Sequence, residues 1–537
     1  MKNLQILLSV LLLSSISINA QVIIPDYSNY ILTPKPSKSP QVNCAKVFGL
    51  RPGSECQFLA ATSGERPMTF SANGLPKGLR IDKNTGLITG KTSKCGEYPV
   101  EITATNSFGA DKRVVRFKVG NDIALTPPMG WNSWNCWGNT VNQEKVMASA
   151  KAMRDKRLID YGWTYINIDD GWQGIRGGKY NAIQPNKKFP DIVGLSDSIH
   201  AMGLKMGVYS TAWVITFAGH IGSTCPNEDG TYPWITQGNH NDLYKISTAD
   251  DPEGDRVSWQ HHYYGQYSFT DNDVKQWVDW KVDYLKYDWY PNDYYHVKEM
   301  YESLRSPKRD IVYSLSGISL YANAPVWAKY TNCYRTTVDI NDSWTSLHNI
   351  GFKGQQHWIG FNKPGHWADP DMLIVGMVGW GDKLHYTRLT PDEQYTHISL
   401  WALLSAPLLI GCDISQMDDF TLSLLCNREI NDIDQDPLGI QAYPIKIDGD
   451  KQTWVKQLEN GSLAVGLFNL GQDSTAISFS PKDFGIFGTQ ILRDPWRQQD
   501  IKELAHNDTF ECIVPKHGCR LLVIKPGNTR ENAFRKN

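Results

Sequence analysis

Five strand-like segments in the middle of this chain end in or beside a carboxylate: Asp169 with Asp170, Asp288, Asp339, Asp369 with Asp371, and Asp413. Around them stand Trp131, Trp134, Trp172, Tyr209, Lys286, Arg335 and Trp367. An Asp after a strand often caps the next helix by accepting its first N–H groups, and each of these taken singly fits that role. Caps do not explain why cations and aromatic rings recur beside them. A sugar pocket does, because a pyranose offers hydroxyls for paired polar contacts and a C–H face for an aromatic ring. The chemistry such a set can do is glycoside hydrolysis. It takes two carboxyl groups flanking the scissile bond, about 5–5.5 Å apart when one of them is the nucleophile.

Asp288 sits in Leu285-Lys-Tyr-Asp-Trp-Tyr290, with Lys286 two residues back on the same strand face. A cation there is expected to keep Asp288 ionised with a low pKa, as a nucleophile requires. Asp339 sits in Tyr334-Arg-Thr-Thr-Val-Asp-Ile340 and needs a less polar setting, with a raised pKa, to carry a proton to a leaving oxygen.

The elements that must position these groups follow from periodicity. Strand candidates are 129–133, 164–169, 204–210, 283–288, 310–316, 333–339, 365–373 and 406–413, separated by amphipathic stretches such as 143–158 and 191–202. Eight strands alternating with helices over 122–437 predict an α/β fold, a (β/α)8 TIM barrel, whose catalytic groups sit at the carboxyl ends of the strands. Residues 44–120 alternate with period two between Gly-rich turns, which predicts a small β-sandwich, and 441–537 return to the same texture. A polar, proline-bearing stretch, 21–43, is expected to be a linker or edge segment. Residues 1–20 form a signal peptide pattern: Lys2, an apolar run from Leu4 to Ile18, and Ile18-Asn19-Ala20 as cleavage site. No Cys follows the site, so a secreted or periplasmic protein without a lipid anchor is expected.

Bulk composition narrows the function classes. A net charge of -2 gives no field for nucleic acid, and no later run is apolar enough for a membrane span. Ten cysteines in an exported chain allow disulfides, with Cys512 and Cys519 close enough in sequence to pair. No CxxC or HExxH spacing points to a metal, and His261-His262 fits a loop better than a metal site.

The motifs then make a resemblance plain. Pro128-Met-Gly-Trp-Asn-Ser-Trp134, Tyr165-Ile-Asn-Ile-Asp-Asp-Gly-Trp172, Leu285-Lys-Tyr-Asp288, Arg335-Thr-Thr-Val-Asp339, His366-Trp-Ala-Asp-Pro-Asp-Met372 and Ser405-Ala-Pro-Leu-Leu-Ile-Gly411 resemble glycoside hydrolase family 27, in family order. Gly74–Gly90 with Ala104–Gly109 resembles an immunoglobulin-like domain. The resemblance implies retaining, exo-acting α-galactosidases and relatives: a barrel with an N-terminal immunoglobulin-like β-sandwich here and a C-terminal antiparallel β-sandwich. By motif, Asp288 takes the nucleophile position and Asp339 the acid/base position. Asp169 and Asp170 fall where galactose 4- and 6-hydroxyls bind, Lys286 and Arg335 match the family's flanking cations, and Trp131, Tyr209 and Asp371 are implied lining residues. No cofactor or metal is implied, and the partner is a galactose-containing oligosaccharide or polysaccharide.

Three departures qualify that match. Ser316-Gly-Ile-Ser319 stands where many family members carry Cys-Glu-Trp near the sugar C2 substituent, which keeps an α-N-acetylgalactosaminidase open. Trp289-Tyr290 replaces the Cys after the nucleophile, leaving Cys225 without that partner. The stretch 211–272 is long and aromatic (Trp213, Phe217, Trp234, Tyr244, Trp259, Tyr263, Tyr264), and either builds leaving-group subsites or only covers the rim. A β-L-arabinopyranosidase is disfavoured by Asp at both 169 and 170, which leaves room for a hydroxymethyl group. A catalytically silent sugar-binding protein is the alternative of another class.

Overall fold

The computed structural model describes residues 24–232, 262–381 and 383–526. The signal-peptide reading, His261, Trp234, Tyr244 and Trp259 therefore lie outside the described residues.

Eight parallel strands form the centre: β1 (Met129–Asn132), β2 (Tyr165–Asn167), β3 (Lys205–Ser210), β4 (Tyr284–Asp288), β5 (Val312–Ser316), β6 (Cys333–Arg335), β7 (Trp367–Asp369) and β8 (Leu408–Ile410). They lie side by side in chain order, with β8 beside β1. The two edges meet where Leu373, just past β7, bridges Ile410 in parallel: Leu373 N–H donates to Leu409 O at 2.8 Å and Gly411 N–H to Leu373 O at 3.0 Å. That contact closes the (β/α)8 barrel. Several strands are shorter than their sequence patterns: Asp288 and Asp369 still end β4 and β7, but elsewhere the chain leaves the sheet before the carboxylate. Asp169, Asp339 and Asp371 thus stand on loops just beyond β2, β6 and β7.

Helices pack outside the barrel, and their starts follow local chemistry. In α1 (Gln143–Asp155) the Asn142 side chain accepts from Lys145 N–H, and in α2 (Ile192–Ala201) Asp191 accepts from Gly194 N–H. A later helix, Pro391–Leu404, opens with a capping box of Thr390 and Glu393 and is buried along nearly its whole length. Its concealment follows from a six-stranded antiparallel sheet (443–448, 451–457, 463–469, 490–494, 499–504 and 519–526) that packs against it. Buried Lys456 reaches from that sheet to Ala402 O, Ser405 Oγ and Ile433 O. A second core, around Val465, Leu467, Leu492 and Leu522, fills the C-terminal sandwich.

The N-terminal strands form a four-stranded and a three-stranded sheet over a core including Ile88, Val100, Val115 and Phe117. Stretch 24–43, read as linker or edge segment, runs over the barrel. Leu32 N–H donates to Tyr395 OH at 3.0 Å, Thr33 Oγ1 to Ser423 O at 2.7 Å, and Gln41–Val42 pair with Thr62–Ser63.

The expected disulfides are absent: all ten cysteines are free. Cys512 and Cys519 belong to different sheets of the sandwich, opposite Ile477 and Phe468 respectively, and Cys519 Sγ turns toward Ser399 Oγ. Closeness in sequence did not bring their Cβ atoms to a common face. No helix among the described residues is long and apolar enough to cross a membrane.

Arg51 clamps the N-terminal sandwich to the loop before β5. Its Nε donates to Asp310 Oδ1 at 2.6 Å, Nη1 to Arg305 O at 2.8 Å, and Nη2 to Pro307 O at 3.0 Å and to Arg309 O. Both members of the ion pair are largely buried. Arg51→Ala leaves Asp310 and three carbonyls short of donors and is expected to cost about 2–4 kcal/mol. The readout is the denaturant midpoint of the full chain; a midpoint unchanged from wild type would show that the clamp carries no stability.

Candidate active site

A cavity of about 290 Å³ opens at the carboxyl ends of the strands. Its wall is drawn from seven barrel loops and includes Asp169, Asp170, Tyr209, Lys286, Asp288, Arg335, Asp339 and Asp371. The barrel explains the convergence. β3 and β4 pair Tyr209 with Lys286, and period-two alternation puts Lys286 and Asp288 on the inner face together. Tyr209 OH then donates to Asp288 Oδ2 at 3.1 Å.

Two cations hold this acidic ring together. Lys286 Nζ donates to Asp169 Oδ2 at 2.8 Å, so its direct ion pair is with Asp169 rather than with Asp288. Arg335 Nη2 reaches Asp339 Oδ1 at 3.0 Å and Asp371 Oδ2 at 2.8 Å. Asp371 is a junction. Its carboxylate also accepts Ile340 N–H at 2.9 Å, its carbonyl accepts the Trp401 indole N–H at 2.7 Å, and its φ of 94° is one that side chains rarely adopt. Ion pair and indole together hold a strained backbone next to the loop that carries Asp339.

The protonation order inverts the sequence expectation. Burial pushes the Asp288 carboxyl up to about 6 despite the Lys286 ammonium, with Asp339 and Asp169 adding to the rise. Asp339 is held below the usual carboxylate range by Arg335, and its side chain is 82% exposed. The reason is depth: Asp288 ends a strand inside the barrel, whereas Asp339 stands on the rim in water. Burial also pushes Asp170 up to about 7 and Asp371 up to about 6, and the latter rises in spite of Arg335.

Several buried polar atoms of this wall find no partner among the described residues: Asp170 Oδ1, Asn135 Nδ2, Thr337 Oγ1 and Arg335 Nε. Unsatisfied groups of this kind are costly to bury, and a cluster of them at a cavity is a docking pattern for a hydroxyl-rich ligand. Asp170 Oδ2 accepts Ala218 N–H at 2.8 Å, so its other oxygen is the one left for a ligand.

Three of the named aromatics lie elsewhere. Trp131 does not line the cavity; it is fully buried, with its indole N–H on Cys412 O at 2.8 Å. Trp172 and Trp367 likewise donate to Tyr209 O and Ala124 O inside the core. Trp134, three residues on from Trp131, is the indole on the wall. The turn of Trp134–Trp137 after β1 swings it there, and nothing in strand alternation marks it. Asp413 is a cap after all, accepting from Ser415 N–H and Oγ. From the aromatic stretch 211–272, Phe217 lines the cavity, while Trp213 is buried against Phe217 and His262. Tyr290, Ile318, Val338 and Met372 complete the lining and were not among the expected contacts.

Comparison with known proteins agrees with this geometry. The family model "Alpha galactosidase A" matches residues 126–232 and 253–436, "Alpha galactosidase C-terminal beta sandwich domain" matches 448–524, and "Putative Ig domain" matches 50–120. An α-galactosidase of Cyamopsis tetragonoloba is 33% identical over 443 residues, covering 81% of this chain and 94% of its own. A crystal structure from Bacteroides fragilis, described as a "putative alpha-galactosidase/melibiase", superposes with a TM-score of 0.78 at 30% identity over 92% of this chain and 99% of that one. A GH27 β-L-arabinopyranosidase from Geobacillus stearothermophilus follows with a TM-score of 0.64 at 26% identity, covering 76% and 98%.

The buried carboxylates carry a stability consequence. Asp170 titrates near 7 in the fold and near 4 in an unfolded chain. Its folded pKa is the higher one, so its contribution is favourable at low pH and is lost as pH rises through about 7. Asp170→Asn is expected to stabilise the protein by about 2–4 kcal/mol at pH 8, with the gain gone at pH 4. Denaturant midpoints at the two pH values test this; an equal gain at both would assign the effect to packing.

Proposed function

This chain belongs to the alpha galactosidase A family, and we propose that it is a retaining, exo-acting α-galactosidase that removes terminal α-linked galactose from oligosaccharides or polysaccharides. The observation that supports this most directly is the ring of five carboxylates and two cations around a cavity whose buried Asp170, Asn135, Thr337 and Arg335 atoms lack partners.

In this reading Asp288 attacks the anomeric carbon. Its pKa near 6 leaves it mostly ionised at neutral pH, and Tyr209 OH steadies the oxygen it meets. As the C1–O bond breaks, Asp339 gives its proton to the leaving oxygen. The product of this step is a galactosyl ester on Asp288. Asp339 then takes a proton from the water that attacks the ester, and Asp288 leaves as carboxylate. Arg335 favours the ionised form of Asp339. A leaving group laid over the rim strips water from this exposed carboxyl, and burial raises its pKa toward what proton donation needs. Lys286 anchors Asp169, and Asp169 and Asp170 are placed to accept from the galactose 4- and 6-hydroxyls. Trp134 offers a face to the ring. A cavity floored by the barrel core admits a chain end, which supports exo action.

Two readings within the family stay in play through specific features. At the proposed C2 position the wall is Gly317 and Ile318 with no acidic side chain, which favours room for an acetamido group and so an α-N-acetylgalactosaminidase. Likeness to the β-L-arabinopyranosidase fold is offset by Asp at both 169 and 170. An apolar leader from Leu4 to Ile18 supports a secreted or periplasmic enzyme.

The test is hydrolysis of matched p-nitrophenyl α-galactoside, α-N-acetylgalactosaminide and β-L-arabinopyranoside. The galactoside is expected to turn over fastest, and Asp288→Asn to lower its kcat by about 10³-fold or more. The wild-type kcat/KM should fall as pH drops through about 6, where Asp288 takes up its proton. Preference for the acetamido sugar would reassign the substrate, and sugar binding without turnover would identify a silent binding protein.

A further inference from the structure

We propose that Tyr264 is a positioning residue for Asp288: its hydroxyl, set between the Trp289 indole and the Asp293 carboxylate, fixes the direction in which the chain leaves β4 and so the aim of the nucleophile. The inference rests on the galactosidase reading and adds to it a residue outside the cavity wall.

β4 ends at Asp288, so the sheet holds nothing beyond it. Period two puts Tyr287 and Trp289 on the face opposite Asp288, and their rings meet edge to face with centroids 4.9 Å apart. Trp289 is fully buried. Its carbonyl accepts from Asn292 Nδ2 at 2.7 Å, a local bond, whereas its indole N–H donates to Tyr264 OH at 3.0 Å, 25 residues back along the chain.

Tyr264 is itself anchored. Val214 N–H donates to Tyr263 O at 2.9 Å, Gly265 N–H donates to Thr224 Oγ1 at 2.8 Å, and Thr224–Cys225 pair antiparallel with Tyr267–Ser268. The two segments lie so close that a Cβ on Gly265 would meet the Cys225 backbone at 2.5 Å. No disulfide ties this ribbon to β4, because Cys225 is a free, buried thiol. On the other side the Tyr264 ring stacks on His296, with centroids 4.0 Å apart and planes 13° apart.

Charge fixes the direction of the hydrogen bonds. Burial acts to raise Asp293, but His296 Nδ1 at 2.8 Å, Tyr264 OH at 2.7 Å and His296 N–H at 3.0 Å hold its carboxyl down to about 2. An ionised carboxylate only accepts, so Tyr264 spends its one hydroxyl hydrogen there; Pro291 O, at 3.4 Å, is the more distant acceptor. A lone pair is then left for the indole, which only donates. Without that hydroxyl the buried N–H loses its partner, and a shift of Trp289 is the way to relieve the cost. Trp289 shares a peptide bond with Asp288, and a misplacement of about 1 Å at a reacting group costs up to about 10²-fold in rate.

The test is Tyr264→Phe, which keeps the stack on His296 and removes only the hydroxyl. Its kcat/KM is expected to fall about five- to twentyfold on melibiose and by the same factor on α-galactosyl fluoride. Fluoride leaves without a proton from Asp339, so equal losses assign the effect to nucleophilic attack. Competitive inhibition by free galactose should stay within about twofold of wild type, which separates aim from binding. In a Trp289→Phe background, where no indole N–H is present, removing the Tyr264 hydroxyl should cost less than about twofold. Unchanged rates, a loss confined to melibiose, an equal weakening of galactose binding, or a full second loss in the Trp289→Phe background would each overturn the proposal. Thermal melting checks that the variants are folded. Should Tyr264→Phe not fold, Asp293→Asn decides: Asn still caps the helix, and the same pattern is expected at about two- to fivefold, with wild-type rates overturning the relay. Failure of the wild type on α-galactosyl fluoride would instead bring down the galactosidase reading.

Discussion

Gathering five carboxylates around two cations, with Asp339 alone on the exposed rim, is the constraint on which the rest of the site depends. Taking a carboxylate out of water costs several kcal/mol unless charge and hydrogen bonds compensate it. Lys286 and Arg335 compensate Asp169, Asp339 and Asp371, but the direct donors to Asp170 and Asp288 are neutral, among them a backbone N–H and a phenol. Their raised pKa values are the mark of that shortfall. An excess of negative charge in a cavity is what an oxocarbenium-like transition state calls for, since positive charge appears at the anomeric carbon as the bond breaks. The site's charge distribution is therefore already biased toward that of the reaction.

Such a site keeps its shape only if the backbone under it is over-determined. Asp371 shows how that is achieved. Its unfavourable φ is held by Arg335 and Ile340 on one side and by the Trp401 indole on the other. Trp401 belongs to the buried helix Pro391–Leu404, whose last turn is in turn gripped by Lys456 from the C-terminal sandwich. A continuous run of contacts thus leads from that sandwich to the Asp339 loop. The sandwich lines no part of the cavity, yet it braces the helix that braces the site.

How much was legible in the sequence follows from the same depth argument. Barrel strands and their terminal carboxylates are local signals, because period-two alternation and chain order fix which residues face inward. Asp288 and Asp371 stand out that way as strand-end carboxylates with Lys286 and Arg335 near them, while their roles come from the family resemblance. Trp131 and Trp134 show the limit: one lies in β1 and the other just past it, and only the short helical turn after the strand decides which indole reaches the cavity. The protonation order was illegible for a related reason. A cation two residues away in sequence announces a low pKa, but Lys286 spends its hydrogen bond on Asp169, and burial then governs Asp288. The cysteines mislead similarly, since neighbours in sequence end up on separate sheets.

The two ends of the barrel divide the work. At the carboxyl ends the loops carry unpaired polar atoms, a strained Asp371 and exposed rings. At the amino ends, Lys205, Tyr165, Asp283 and Asp310 meet the N-terminal sandwich, with Asp310 tied by Arg51 and Asp283 by Arg309 and His200. Stability gathered at one end permits instability at the other. The position of the immunoglobulin-like domain then argues against a part for it in gripping the sugar in the cavity. It is fastened to the amino ends by Arg51 and by Gln57, whose amide donates to Leu204 O just before β3, a full barrel length from Asp339. Its contacts fall instead at the near ends of β3 and β5, the strands whose far ends carry Tyr209 and the Ser316–Ser319 turn.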